Sequence, residues 1–235
     1  MPTELRKPPQ DRPVRIAVLD DYLDVALHLA DWSRVRAKAE IKVFDHNLGS
    51  VREAAEALAP YDILCTMRER MDMPRELIEA LPNLCAITIT GQKNRTLDTA
   101  AAAERGIAVM CTESTGGGQF APAELAWGMI ISLMRHIPEE GMRMRSGGWQ
   151  KRLGSAIYGK TLGIVGLGRL GARMAMAGNA FGMKVLAWSQ NLDDARAAEA
   201  GATRVDKATL LRDSDVVTLH IVLGERSRGI IGARF

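Results

Sequence analysis

The stretch Thr161–Gly171, TLGIVGLGRLG, decides the fold. Thr161–Val165 is an apolar run of strand length. Gly166-Leu167-Gly168-Arg169-Leu170-Gly171 then fits GxGxxG ahead of an amphipathic stretch. That motif is weak alone, but between a strand and a helix it has a mechanism. The first glycine permits a tight turn, the second lets a phosphate approach the backbone, and the third lets the helix pack on the strand. The free N–H groups and positive dipole end of the helix then face a diphosphate. The segment predicts the pyrophosphate turn of a dinucleotide domain, with Gly166, Gly168, Arg169, Leu170 and Gly171 as cofactor-binding residues.

Downstream, periodicity predicts helix Arg169–Phe181, strand Lys184–Trp188, helix Asp193–Ala200, a weak strand Thr203–Val205, helix Lys207–Asp213 and strand Asp215–Leu219. A site for NAD usually places an acid about 20 residues after the glycines, on the ribose 2′-hydroxyl. Here that place falls on Ser189, in WSQN, with no carboxylate and no adjacent arginine. Ser189, Gln190 and Asn191 suit a hydroxyl or a phosphate oxygen, so NAD and NADP both remain open.

Upstream, apolar runs recur at Val14–Leu19, Ile41–Phe44, Asp62–Thr66, Leu84–Thr90 and Ile107–Cys111. Amphipathic stretches separate them: Val25–Ala39, Val51–Ala59, Arg75–Ala80 and Leu97–Arg105. Near-continuous apolar strands alternating with helices indicate parallel sheets covered on both faces. The fold class is therefore α/β, with two doubly wound parallel-sheet domains. Residues 14–115 form a flavodoxin-like first domain, and residues 116–235 an incomplete Rossmann dinucleotide-binding domain. The polar, Pro-rich residues 1–13 are expected to be a disordered tail, and Glu113–Gly118 a flexible break. Pro122 and Glu124 suit a first helical turn. The helix body, Leu125–His136, is apolar on nearly every face, which predicts burial on both sides.

Composition narrows the function classes. The 235 residues carry 31 basic and 28 acidic side chains, a net charge of +3, with no basic block. The densest run, Met142–Arg152, suits a solvated helix end, which argues against nucleic acid. Cys65, Cys85 and Cys111 sit in apolar runs without metal-ligand spacing and suit reduced, buried thiols of a cytoplasmic protein. The N-terminus lacks the apolar segment of a signal peptide. Leu125–Met134, the longest apolar stretch, is about half a membrane span. Of the histidines, His28 and His46 have no assignable partner carboxylate, His136 suits a helix C-terminus, and His220 follows the last strand.

The chain resembles the D-isomer-specific 2-hydroxyacid dehydrogenase family, which includes phosphoglycerate dehydrogenase and hydroxypyruvate/glyoxylate reductases. The matching segments are VRIAVLDDY (14–22), MRERMDMP (67–74), ITITGQKNRTLDTAAAAERGIAV (87–109), APAELAWGMIISLMRHIP (121–138), MRSGGWQ (144–150), GKTLGIVGLGRLGARMA (159–175), AFGMKVLAWSQN (180–191) and DVVTLHIVLGERSRGIIGA (215–233). The resemblance implies hydride transfer between a nicotinamide and C2 of a small 2-hydroxy or 2-oxo acid. It places Arg68, Arg70, Thr90, Gly91 and Gln92 at the substrate. It places His220, Ile221 and Val222 beside the cofactor ribose and nicotinamide. It also implies a homodimer of the full-length protein through the dinucleotide domain, for which Trp127, Met129 and Trp149 are candidates either as interface residues or as intrachain core.

The family's catalytic Arg, Glu and His all lie beyond the segment matching RGIIGARF, so no residue of this chain inherits a catalytic role by position. The expectation is a fragment that binds dinucleotide weakly and lacks normal turnover. The alternative is a non-catalytic dinucleotide-sensing or interaction protein on the same fold.

Overall fold

The computed structural model describes residues 4–113 and 116–232. The chain divides into two compact units, Met1–Thr115 and Gly116–Phe235.

In the first unit the elements run β1 (Val14–Val18), α1 (Ser33–Arg36), β2 (Ala39–Val43), α2 (Val51–Leu58), β3 (Ile63–Thr66), α3 (Arg75–Ala80), β4 (Ala86–Ile89), α4 (Thr99–Glu104) and β5 (Ala108–Cys111). The strands form one parallel sheet in the order β2-β1-β3-β4-β5. The flavodoxin-like order follows, with its switch point between β1 and β3. Leu64, Ile87, Leu58, Leu77, Ile78 and Leu81 are buried in its core. Local chemistry sets the helix starts: Ser50 and Glu53 form a reciprocal capping box on α2, and the Asp98 side chain accepts from the Ala101 amide of α4.

Three expectations fail in this unit. The helix expected over Val25–Ala39 shrinks to α1. The Asp21 carboxylate takes the Val25 and Ala26 amides at 3.1 and 2.8 Å and closes a turn instead of a helix. Asp31 then accepts from the Ser33 amide at 2.8 Å and starts the short α1 afresh. Leu29, which the helical spacing puts on a core face, is exposed. The tail is also not loose from residue 4 onward. The Arg6 amide donates to Gly106 O at 2.7 Å and its guanidinium to Pro82 O at 2.9 Å. Arg12 grips the buried Asp62 carboxylate at 2.7 and 2.8 Å, a bidentate pair that offsets the cost of burying that charge. Met1–Thr3 of the expected tail lie outside the described residues, as do Ser114 and Thr115 of the expected break. Finally, only Cys85 is buried; Cys65 is half-buried, and Cys111, at the end of the edge strand β5, is exposed.

The second unit opens with a 3-10 turn, Gly116–Gln119. It continues through α5 (Ala121–Arg135), α6 (Ile137–Arg145), β6 (Thr161–Val165), α7 (Arg169–Ala180), β7 (Lys184–Trp188), α8 (Asp194–Glu199), β8 (Thr203–Arg204), α9 (Lys207–Asp213) and β9 (Val216–Leu219). Its parallel sheet has the order β8-β7-β6-β9, four strands of a Rossmann arrangement. Leu162, Ile164, Met174, Ala175, Val185 and Ala187 fill the core. α5 and α6 meet at His136, whose φ of 54° breaks the helix. Pro138 has no N–H for the Met134 carbonyl, and the Ser155 amide fills that place at 2.8 Å.

The expectation that Leu125–His136 is buried on both sides does not hold. Trp127 packs on Phe181 with ring centroids 5.0 Å apart and, with Ala123 and Ile130, faces the core. Leu125, Met129 and Leu133, spaced four apart, form an exposed stripe. α5 therefore covers its own unit with one face only.

Candidate functional site

In the second unit the switch point lies between β6 and β9. Gly166 leaves β6 with φ +99°. A Cβ there would stand 2.6 Å from Ile221 Cγ2 and 2.8 Å from the His220 carbonyl group, so the glycine turn rests directly on the segment after β9. The His220 amide donates to Val165 O at 2.8 Å and fixes that segment. On the other side, the Gly166 amide donates to Trp188 O at 2.8 Å and sets the turn against the end of β7. The turn thus brings the two flanking segments, Ser189–Asn191 and His220–Val222, to one end of the sheet.

Gly168 is the N-cap residue of α7 and has no side chain to cap it, whereas Asp193 and Asp206 cap α8 and α9. A Cβ on Gly168 would meet nothing within 4 Å. The space in front of the first α7 amides is therefore a cradle that a side chain would fill, and it fits a phosphate bound by amides and the helix dipole. Gly171 serves packing: its missing Cβ would overlap the Gly166 carbonyl. Arg169 is exposed and Leu170 half-buried. Ser189 is half-buried, Gln190 and Asn191 are exposed, and the Ser189 carbonyl accepts from the Leu192 amide at 3.2 Å.

The His220 ring is half-buried, with Nε2 2.8 Å from Thr218 Oγ1. Burial lowers its pKa below the ordinary histidine value, which favours the neutral ring. Val222 is exposed. His46, expected to lack a carboxylate, has Asp45 Oδ1 2.7 Å from its Nδ1; the pair is exposed and adjacent in sequence.

In the first unit the loops after β1, β3 and β4 converge. Thr66 at the end of β3 accepts the Thr90 amide at 3.0 Å. Gly91 has φ +103°, and a Cβ on it would come 3.1 Å from Arg68 Nη1, so Arg68 lies over Gly91. The Gly91 amide donates to Thr112 Oγ1 at 2.8 Å. Thr90, Gln92 and Arg68 are exposed. Arg70 is engaged differently. Its guanidinium donates to Asp20 O at 2.6 Å and stacks 5.0 Å from the Tyr22 ring centroid, bridging the two sides of the β1/β3 switch point. Arg68 is thus exposed, with Glu69 Oε2 3.9 Å from its Nε, and Arg70 holds the loop.

Two residues of this cluster escape sequence reasoning. Asp20 has φ +59° and is almost fully buried; its Oδ1 accepts from Tyr22 Oη at 3.0 Å, and its Oδ2 has no hydrogen-bond partner among the described residues. Burial raises its pKa above the ordinary aspartate value, against the opposing pull of Tyr22 and Arg70. Asn94, also buried, donates to Arg68 O at 2.7 Å and fixes the arginine loop. The DDY run ending the first strand was the available signal for Asp20; nothing in the sequence marks Asn94. Among the described residues no cluster of three or more His, Cys, Asp or Glu is placed to hold a metal, and no helix is long and apolar enough to cross a membrane.

Comparison with known proteins agrees with this geometry. A family model described as D-isomer specific 2-hydroxyacid dehydrogenase, NAD binding domain, matches residues 127–235. The chain is 33% identical over 186 residues to D-3-phosphoglycerate dehydrogenase of Synechocystis sp., covering 78% of this chain and 33% of that one. It is 33% identical over 196 residues to hydroxypyruvate reductase of Thermotoga maritima, covering 83% of this chain and 62% of that one. The chain thus spans about a third of the first of these curated relatives and under two thirds of the second. The solved structure of a phosphoglycerate oxidoreductase from Vibrio cholerae superposes with a TM-score of 0.84 at 33% identity, covering 93% of this chain and 70% of that one. The cofactor of the matched domain is NAD(P). With its two parallel sheets and its glycine turn, the chain belongs to the D-isomer specific 2-hydroxyacid dehydrogenase family.

Proposed function

We propose that the protein is an NAD(P)-dependent oxidoreductase acting on the CH–OH group of a small 2-hydroxy acid, or on the carbonyl of the matching 2-oxo acid. The observation that carries this is the cradle at Gly168. An amide-lined space opens at the start of a 12-residue helix, in a sheet of Rossmann order. When bound, the nicotinamide supplies or accepts the hydride at C2 of the acid.

The chain's own residues bind and orient. The amides around Gly168, Arg169 and Leu170 hold the pyrophosphate, with Gly166 and Gly171 shaping the turn. Ser189, Gln190 and Asn191 bond the adenine ribose. His220 and Val222 border the nicotinamide side, the neutral ring being the form suited to a site that already carries a cofactor. Arg68 and the Thr90-Gly91-Gln92 segment receive the substrate carboxylate, and Arg70 keeps their loop in place. The protein works in the cytoplasm without nucleic acid or a membrane. The full-length protein forms a homodimer through the exposed stripe of α5, with Met129 and Trp149 as contributors; Trp127, buried against Phe181, belongs to the core instead.

Titration with NADH and with NADPH, followed by nicotinamide fluorescence, tests the reading. Saturable binding supports it, and no change with either at millimolar concentration overturns it. A panel of 2-oxo acids assayed with the bound dinucleotide then separates an enzyme from a sensor. Turnover supports the oxidoreductase; binding without turnover supports the dinucleotide-sensing alternative only in a chain that also carries the family's catalytic Arg, Glu and His.

A further inference from the structure

We propose that the dinucleotide site selects the cofactor that carries a 2′-phosphate on its adenine ribose, and that Arg169 and Arg196 receive that phosphate. The proposal rests on the dinucleotide reading above and adds to it which dinucleotide is preferred.

A groove of about 360 Å³ opens beside the glycine turn. Gly168, Arg169 and Ala172 form one wall, and Arg196 and Glu199 of α8 the other. Both arginines are exposed, and neither guanidinium group makes a hydrogen bond or ion pair with any described residue. Other arginines of the same unit are engaged: Arg173 with Gln119, Arg204 with Asp194, Arg212 with Asp213 and Arg228 with Glu225. Two free guanidinium groups therefore share a groove that begins at the phosphate cradle.

The groove also lies next to the ribose position. The Gly166–Trp188 hydrogen bond sets Ser189 against the glycine turn, and the Ser189–Leu192 bond then bends the chain into α8. Arg196 follows within two turns. It is too distant along the sequence to look adjacent to Ser189, but the fold brings it to the same groove as Arg169.

Charge separates the two cofactors. A carboxylate at the end of β7 would bond a 2′-hydroxyl and repel a 2′-phosphate. That place holds the uncharged Ser189. The nearest acids are engaged elsewhere: Asp193 accepts the Arg196 amide at 2.8 Å and Asp194 pairs with Arg204 at 3.4 Å. Glu199 is the single carboxylate on the groove wall, so two cations outweigh it. A phosphate monoester carries close to two negative charges near neutral pH and three acceptor oxygens. Guanidinium forks match that geometry, whereas a hydroxyl offers them almost nothing.

The test is separate titration of the chain with NADPH and NADH, with competition by adenosine 2′,5′-bisphosphate and by 5′-AMP. NADPH is expected to bind at least about tenfold tighter, the equivalent of one charged hydrogen bond, and the bisphosphate to compete better than 5′-AMP. Arg196→Gln and Arg169→Gln are each expected to lower the NADPH-to-NADH affinity ratio by about tenfold. Circular dichroism and urea melting like those of the parent report that the variants are folded. Equal binding of the two dinucleotides, tighter NADH, or an unchanged ratio in both variants overturns the proposal and leaves the dinucleotide reading standing. Absence of binding by either dinucleotide overturns both.

Discussion

The Gly166 carbonyl lies so close over Gly171 that a single methyl group on Gly171 would overlap it. The two outer glycines of the motif hold each other in place, while Gly168 between them touches nothing in its side-chain direction. Fold and binding are thereby assigned to different glycines. Gly171→Ala must displace backbone, and Gly166→Ala must do so at a positive φ as well. Each is expected to cost about 2 kcal/mol or more, the upper range of overpacking. Gly168→Ala places a methyl group in open space at an N-cap, which costs about 1 kcal/mol or less, yet it fills the phosphate cradle. Urea denaturation is expected to separate the outer glycines from Gly168, and dinucleotide titration to show binding lost in Gly168→Ala while the fold remains.

His220 gives the second unit an acid sensitivity. Its folded pKa lies below the unfolded value of about 6.5 because burial disfavours the charged ring. Between the two values the unfolded chain binds more protons, so stability falls as pH drops from about 6.5 through the lowered folded value. Above that window the contribution is complete. His220→Gln is expected to flatten this part of the stability–pH curve. Urea melts at about pH 7.5 and about pH 5 check it, and equal slopes in variant and parent would remove His220 as the cause.

The legibility of this chain in its sequence follows the range of the interactions involved. Thr161–Val165 is plain because its apolar run is buried on both faces, and Lys184–Trp188 because one face is buried and the other half-buried after Lys184, properties local to each run. The glycine turn is plain because its requirements are steric and fall within six residues. The helix over Val25–Ala39 misleads because the Asp21 side chain, outside that stretch, captures the amides that would begin it. The orientation of α5 is illegible because a helix apolar all round does not say which stripe is covered. Arg196 escapes because it meets Arg169 only through the β7–α8 turn.

The exposed stripe of α5 bears on assembly. Leu125, Met129 and Leu133 are 67, 58 and 73% exposed on a helix whose opposite face is core. Apolar side chains four apart form a continuous ridge. If the homodimer uses this ridge, Leu133→Glu places charges within it and is expected to shift sedimentation from dimer to monomer. The variant's melting curve should change little at low protein concentration, since Leu133 contributes little to the core of its own unit. A dimer unaffected by Leu133→Glu would move the interface elsewhere.

Asp20 yields a prediction of opposite sign to His220. Its carboxyl is nearly sealed from water, one oxygen is satisfied by Tyr22 and the other has no partner among the described residues, and its pKa is raised. The folded state therefore holds the proton more tightly than the unfolded chain, whose aspartates titrate near about 3.9. The stabilising contribution is complete below that value and is lost as pH rises through the raised folded value. At neutral pH the ionised form is a burden. Asp20→Asn removes the charge and keeps an acceptor for Tyr22, and asparagine tolerates the φ of +59°. It is expected to raise the melting temperature at neutral pH by about 2–4 °C, with the gain shrinking towards pH 4. Asp20→Ala loses the acceptor and strains the backbone, and is expected to destabilise at every pH. If Asp20→Asn gave the same gain in acid as at neutrality, the buried charge would not be its source, and relief at the left-handed backbone position would take its place.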